Sequence, residues 1–138
     1  MAFRAHLKVR FGDIDHAGIV YYPRIVHYLH VAMEEFFSQA LREDYAAVLE
    51  SHRLGLPTVH LEVDFRRPFK FGDRIEIEVR VSRIGERSVE WSYRIFQQGS
   101  EIVSASARVV TVCVHLDHFE PMAVPDWLRE RIDRYQET

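Results

Sequence analysis

Residues 11–23 read Phe-Gly-Asp-Ile-Asp-His-Ala-Gly-Ile-Val-Tyr-Tyr-Pro, so Asp13, Asp15 and His16 share one short segment with Gly12 and Gly18. From Pro23 onward the pattern is helical, and Pro23 suits a first helical position because it has no N–H to leave unpaired. Backbone N–H groups at a helix start point outward unbonded, and the helix dipole adds roughly half a positive charge there. Such an end stabilises a developing oxyanion, and a carboxylate held beside it can act as base or nucleophile. Asp is also at home in plain loop turns and helix caps, so the residue types alone leave both uses open.

Other reactive side chains are weaker candidates. The chain has eight histidines, and His27, His30 and Glu34 on the helix, or His115, Asp117 and His118 near the C-terminus, would supply metal ligands if they converged. Neither group has the HExxH spacing, two histidines four residues apart with a Glu after the first, so no metal is expected. Glu34 and Glu35 fit a solvated helix face. Cys113 lies in a β-branched run with no adjacent Lys or Arg, the setting of a buried, inert thiol. Arg66, Arg67 and Lys70 form a basic cluster that suits phosphate groups.

The elements that position these residues follow from periodicity. Residues 3–11 alternate, with Phe3, Ala5, Leu7, Val9 and Phe11 on one parity and Arg4, His6, Lys8 and Arg10 on the other. That is a half-buried strand. The same parity returns at 59–66, 75–82 and 88–95, and more weakly at 102–114, where Ala105 and Ala107 make the inner face thin. Gly85-Glu86 and Gln98-Gly99-Ser100 are short enough for antiparallel hairpins, so the last three strands should form a meander. Ile25, Leu29, Met33, Phe36, Phe37 and Leu41 recur at helical spacing over residues 23–42, about five turns. A shorter helix is expected at 43–53, ending before Gly55 and Pro57, and a last one after Pro125.

One long helix and five strands with one apolar face each have a simple α+β solution, a curved antiparallel sheet wrapped around the helix. The open edge of such a sheet invites pairing with a second copy. The 138 residues fit one domain, residues 1–138, and 47% hydrophobic with 28% charged residues excludes disordered and collagen-like classes. A net charge of -3 argues against nucleic acid as a partner. No apolar run approaches the roughly 18 residues of a membrane span. A single cysteine and an alternating rather than apolar N-terminus point to the cytoplasm.

Residues 11–24, FGDIDHAGIVYYPR, resemble the signature loop of the hotdog-fold 4-hydroxybenzoyl-CoA thioesterase family, which includes short-chain acyl-CoA thioesterases of the Tol-Pal cluster type. The element order fits that family over nearly the whole chain. Gly55-Leu56-Pro57 and Val124-Pro125 add shorter similarities. The resemblance implies a hotdog fold and hydrolysis of a small aromatic or short-chain acyl-CoA, with coenzyme A belonging to the substrate and no separate cofactor.

By the same resemblance Asp15 is the catalytic carboxylate and Asp13 is structural. The backbone N–H groups of Tyr22 and Gly55 polarise the thioester carbonyl. His16, Tyr21, Arg66, Arg67 and Lys70 are the expected substrate contacts, and the assembly is a homodimer or homotetramer. His16 stands where aromatic-substrate members often carry Pro. Tyr21, Tyr22 and Trp91 suit an acyl pocket or simply the core.

A different branch of hotdog thioesterases carries its carboxylate on the helix, where Glu34 and Glu35 lie here, but that branch lacks the Asp-x-Asp loop. A thioester is already activated, so a carboxylate suffices as nucleophile or general base. Two other functions fit a hotdog fold. One is hydration or dehydration of an acyl thioester with His16 or His60 as a catalytic group; the other is non-catalytic acyl-CoA sensing.

Overall fold

The computed structural model describes residues 2–137. The alternating runs form strands β1 (Phe3–Lys8), β3 (Thr58–Phe65), β4 (Arg74–Ile84), β5 (Ser88–Gln97) and β6 (Val103–Val112). These five make one antiparallel sheet in the order β1-β4-β5-β6-β3, so the expected meander is β4-β5-β6. Helix α1 (Tyr22–Glu35) lies on its inner face, and the expected α+β hotdog architecture is borne out.

Register explains the core. Ile77 pairs with Ala5 on one side and Ile95 on the other, and Trp91 pairs with Val81 and Val109. Every second residue of β4 and β5 therefore faces α1, which presents Ile25, Tyr28, Leu29, Ala32 and Met33. Trp91 is fully buried and its indole N–H donates to Thr111 Oγ1 at 2.9 Å, so its one polar atom is satisfied. Phe36 packs edge-on against Phe3, Phe37, Trp91 and Tyr135, joining helix, sheet and C-terminus.

The long helix ends differently from a regular one. After Glu35 a single wide turn covers Phe36–Ala40, and Leu41 N–H donates to the Phe36 carbonyl at 3.1 Å. The extra residue brings Leu41 over Phe36, and both are buried together with Phe37. Helix α2 is shorter than expected (Tyr45–Glu50), and α3 (Asp126–Asp133) follows Pro125. A small second sheet of β2 (Leu54–Gly55), β7 (Val114–His115) and β8 (Glu120–Pro121) was not expected. It splits the expected strand at 102–114, because Cys113 leaves the ladder to bond Arg87 and Met122 through its backbone.

The outer face of the sheet is polar. Glu78 is buried there between Arg94 at 2.8 Å, Arg80 at 3.2 Å and Arg4 at 3.4 Å, while Arg108 spans Glu62 and Glu90. The two edges differ. Beyond β1, the C-terminal segment covers β4 through Val81 N–H to Tyr135 C=O and Glu137 N–H to Val81 C=O. At the other edge β3 has no neighbour among the described residues, and its inner-parity side chains Val59 (59%), Leu61 (43%) and Phe65 (54%) are exposed.

Candidate active site

The loop between β1 and α1 is built by its own two aspartates. Asp13 closes a short 3-10 turn at Phe11–Asp13: its N–H donates to the Arg10 carbonyl at 2.9 Å, and its carboxylate accepts from Arg10 N–H at 3.0 Å. The Asp13 carbonyl accepts from Tyr21 N–H at 2.9 Å, and Tyr28 OH donates to Asp13 Oδ2 at 2.6 Å. Asp15 N–H donates to the Ile19 carbonyl, Gly18 N–H donates to the Asp15 carbonyl, and Ala17 N–H donates to Asp15 Oδ1 at 2.8 Å. Gly18 has φ +82°, a conformation that makes this tight return with little steric cost only for glycine. Val20 N–H to the Phe69 carbonyl at 2.8 Å fastens the far arm of the loop to the segment after β3.

Asp15 ends up exposed at the rim of a cavity of about 330 Å³. Ile19, Ile25, Phe65, Phe69 and Ala105 give it apolar walls, and Asp15, Tyr22, Arg66 and Arg67 supply its polar groups. Asp15 Oδ2 accepts no hydrogen bond among the described residues. Tyr22 begins α1, Tyr21 N–H is used on Asp13, and Pro23 has no N–H, so the first free backbone donor of the helix is that of Tyr22. A free carboxylate oxygen and a free helix-start N–H thus belong to residues of one apolar cleft.

Of the residues expected to meet, the structure brings together Asp15, Tyr22, Arg66 and Arg67. Gly55 does not reach this cavity within one chain; it lies in β2, where an added Cβ would sit 2.7 Å from Leu116 Cδ2 and 3.0 Å from Val114 Cγ2. His16 is exposed on the loop outside the lining, and the Tyr21 ring stands edge-on to Tyr22 at 5.5 Å. Lys70 pairs through its backbone with Ile19, a wall of the cleft, and is not itself part of the lining. His60 faces outward and meets Glu62 at 2.8 Å. Glu34 pairs with His30 at 3.0 Å, and Glu35 bonds Gln39; neither glutamate lines the cleft. Trp91 is core.

Sequence reading missed the walls supplied by Phe65, Pro68 and Phe69. The only signal for them is their place at the end of the inner-parity run of β3, which Phe65 closes, and just after it. Ala105, noted for its size, borders the cleft as well as the core.

Burial pushes the Cys113 thiol up to about 11. At neutral pH that leaves roughly 100-fold less thiolate than an unperturbed cysteine has. Native protein should therefore react with a disulfide thiol reagent at least tenfold more slowly than guanidinium-unfolded protein. Equal rates would contradict the buried placement.

Comparison with known proteins bears on the fold and the reaction class. A family model described as the thioesterase-like superfamily matches residues 9–132. A 1,4-dihydroxy-2-naphthoyl-CoA hydrolase from Synechococcus elongatus is 30% identical over 129 residues, covering 91% of this chain and 93% of the relative. The crystal structure of a 1,4-dihydroxy-2-naphthoyl-CoA thioesterase from Synechocystis superposes with a TM-score of 0.86 at 25% identity over 96% of each chain. The structure of a gentisyl-coenzyme A thioesterase superposes with a TM-score of 0.82 at 25% identity, covering 92% of this chain and 99% of that one. With the family match spanning loop, long helix and sheet alike, the chain belongs to the thioesterase-like superfamily.

Proposed function

We propose that this protein is a thioester hydrolase that cleaves a small aromatic acyl-CoA to the free acid and coenzyme A, with Asp15 as its catalytic carboxylate. The observation that carries the reading is that Asp15, with a free Oδ2, and Tyr22, with a free helix-start N–H, line the same apolar cleft. The cleft volume lies within the usual range for small-ligand sites, and its walls suit a flat apolar acyl group. Relatives named for naphthoyl-CoA and gentisyl-CoA thioesters support an aromatic acid.

The chemistry follows from the groups present. The Tyr22 N–H and the α1 dipole stabilise the carbonyl oxygen as it gains charge. Asp15 either attacks the carbonyl carbon, expelling the coenzyme A thiolate and leaving a mixed anhydride that water hydrolyses, or takes a proton from a water that attacks directly. Both routes consume one thioester and one water and release one acid and one thiol. Arg66 and Arg67 hold coenzyme A phosphates at the mouth, with Lys70, His16 and Tyr21 at the outer rim. Hydratase chemistry is disfavoured because neither His16 nor His60 lines the cleft.

The working unit is a homodimer formed through the open edge of β3, with dimers joining into a tetramer. Antiparallel pairing about a two-fold axis sets the Phe65 end of one β3 beside the Thr58 end of the other. A second cavity of about 350 Å³, lined by His27, His30, Thr58, Leu61 and Tyr93, lies at that Thr58 end. In the dimer each Asp15 cleft therefore meets the other copy's second cavity, and Gly55 of the partner subunit is carried toward the cleft. Leu61→Lys should turn the assembly into monomer by sedimentation at micromolar concentration and lower activity with it. A wild type that sediments as monomer would contradict this. The lone cysteine favours a cytoplasmic setting.

The deciding experiment is thiol release over a panel of benzoyl-, hydroxybenzoyl-, short-chain and enoyl-CoA thioesters. Fastest turnover is expected on an aromatic member. Binding without thiol release would favour a sensor, and consumption of the enoyl substrate without thiol would favour a hydratase.

A further inference from the structure

Tyr28 sits inside α1 with 5% of its surface exposed and lines neither cavity, yet its hydroxyl makes a 2.6 Å hydrogen bond to Asp13 Oδ2. A phenol buried at a helix-sheet contact needs an acceptor, but any carbonyl or water would serve. Here the acceptor is the residue on which the loop depends. The same carboxylate takes Arg10 N–H at 3.0 Å, has Arg24 Nε at 3.9 Å, and belongs to the residue whose carbonyl takes Tyr21 N–H. Asp13 thereby joins the end of β1, the start of α1 and the interior of α1, two residues before Asp15 and on the chain that delivers Tyr22.

The Asp15 carboxylate is held only within its own turn; the far arm of that turn is fastened by Val20 N–H to Phe69 and by the pairing of Ile19 with Lys70, and the near arm reaches the helix start through Asp13. We infer that Tyr28 is a positioning residue for the thioesterase site, acting through Asp13 to fix the loop so that the Asp15 carboxylate and the Tyr22 N–H address the same thioester carbonyl. The inference rests on the proposed function. Burial and the Asp13 carboxylate both push the Tyr28 phenol above its ordinary range, so it is a protonated donor at neutral pH. Charge-assisted bonds of this kind are short and directional, as a positioning contact requires.

The variant Tyr28→Phe removes one oxygen and keeps the ring. With full-length enzyme well below its unfolding temperature, kcat on the best aromatic acyl-CoA should fall about tenfold while KM changes less than about twofold, because misplacement of a catalytic group acts on the reacting geometry. In the Asp13→Asn background the same change should have no further effect on kcat, since the two act as one unit. Amide exchange at Arg10, Ala17 and Tyr21 should quicken by about tenfold with β4 and β5 unchanged.

Wild-type kcat in Tyr28→Phe, or a fall in kcat that persists undiminished in Asp13→Asn, would overturn the inference. So would unchanged loop exchange. If wild type itself releases no thiol from any thioester, the functional reading falls, and the exchange measurement alone decides whether Tyr28 holds the loop.

Discussion

Asp15→Asn is expected to lower turnover at least about 100-fold, the scale of losing a general base or nucleophile, with a much smaller change in substrate affinity. The amide keeps the size of the side chain and an oxygen that can accept from Ala17 N–H, so the turn at 15–18 should persist. What it loses is the free carboxylate oxygen at the rim of the cleft. Glu34→Gln should retain most activity, because Glu34 faces His30 across the helix surface and does not line the cleft. Cys113→Ala should also retain it. Thermal unfolding of each variant separates lost chemistry from lost structure. If folded Asp15→Asn turned over near the wild-type rate while Glu34→Gln did not, the helix carboxylate would be the catalytic one.

The largest loss of stability is expected at Phe36. Its ring is fully buried and packs edge-on against four aromatic partners drawn from β1, the wide turn, β5 and the C-terminal segment. Truncating a buried Phe to Ala removes transfer free energy and leaves a cavity, about 3–5 kcal/mol together. Phe36→Ala should therefore lower the unfolding midpoint by about 10–15 °C in a chain of this size. Such a void sits at the far end of α1 from Asp15. The variant's kcat, measured while it is still folded, should stay within about threefold of wild type, because distant independent sites add. A midpoint within a few degrees of wild type would mean that the aromatic cluster is not the keystone of the core.

How much of this was legible in the sequence depended on how local each feature is. The strands of the main sheet showed because β4 and β5 bury one face and expose the other, so Ile75, Ile77, Val79 and Val81 alternate with charged or polar neighbours. Strands of two residues such as β2, β7 and β8 carry no alternation, and the second sheet left no trace. Asp15 and Tyr22 were readable as a pair because the loop and helix start that join them are contiguous. Phe65, Pro68 and Phe69 were not, because the pairing of β3 with β6 and the bond from Val20 to Phe69 bring them to the cleft from far along the chain.

The Tyr28 contact was hidden for a related reason. In periodicity it is one more residue on the buried stripe of α1, and its hydroxyl finds Asp13 only once loop and helix are folded together. Gly55 is the opposite case. Its role as a backbone donor came from the resemblance alone, and within one chain its missing side chain makes room for Leu116 and Val114.

The most direct test of the account is the stoichiometry of hydrolysis by purified wild-type protein acting on a benzoyl- or hydroxybenzoyl-CoA. Free thiol and free aromatic acid should appear together, one for one, for many turnovers, and Asp15→Asn under the same conditions should release both at least about 100-fold more slowly. Binding of the thioester with no release of thiol, or release undiminished in folded Asp15→Asn, would contradict it.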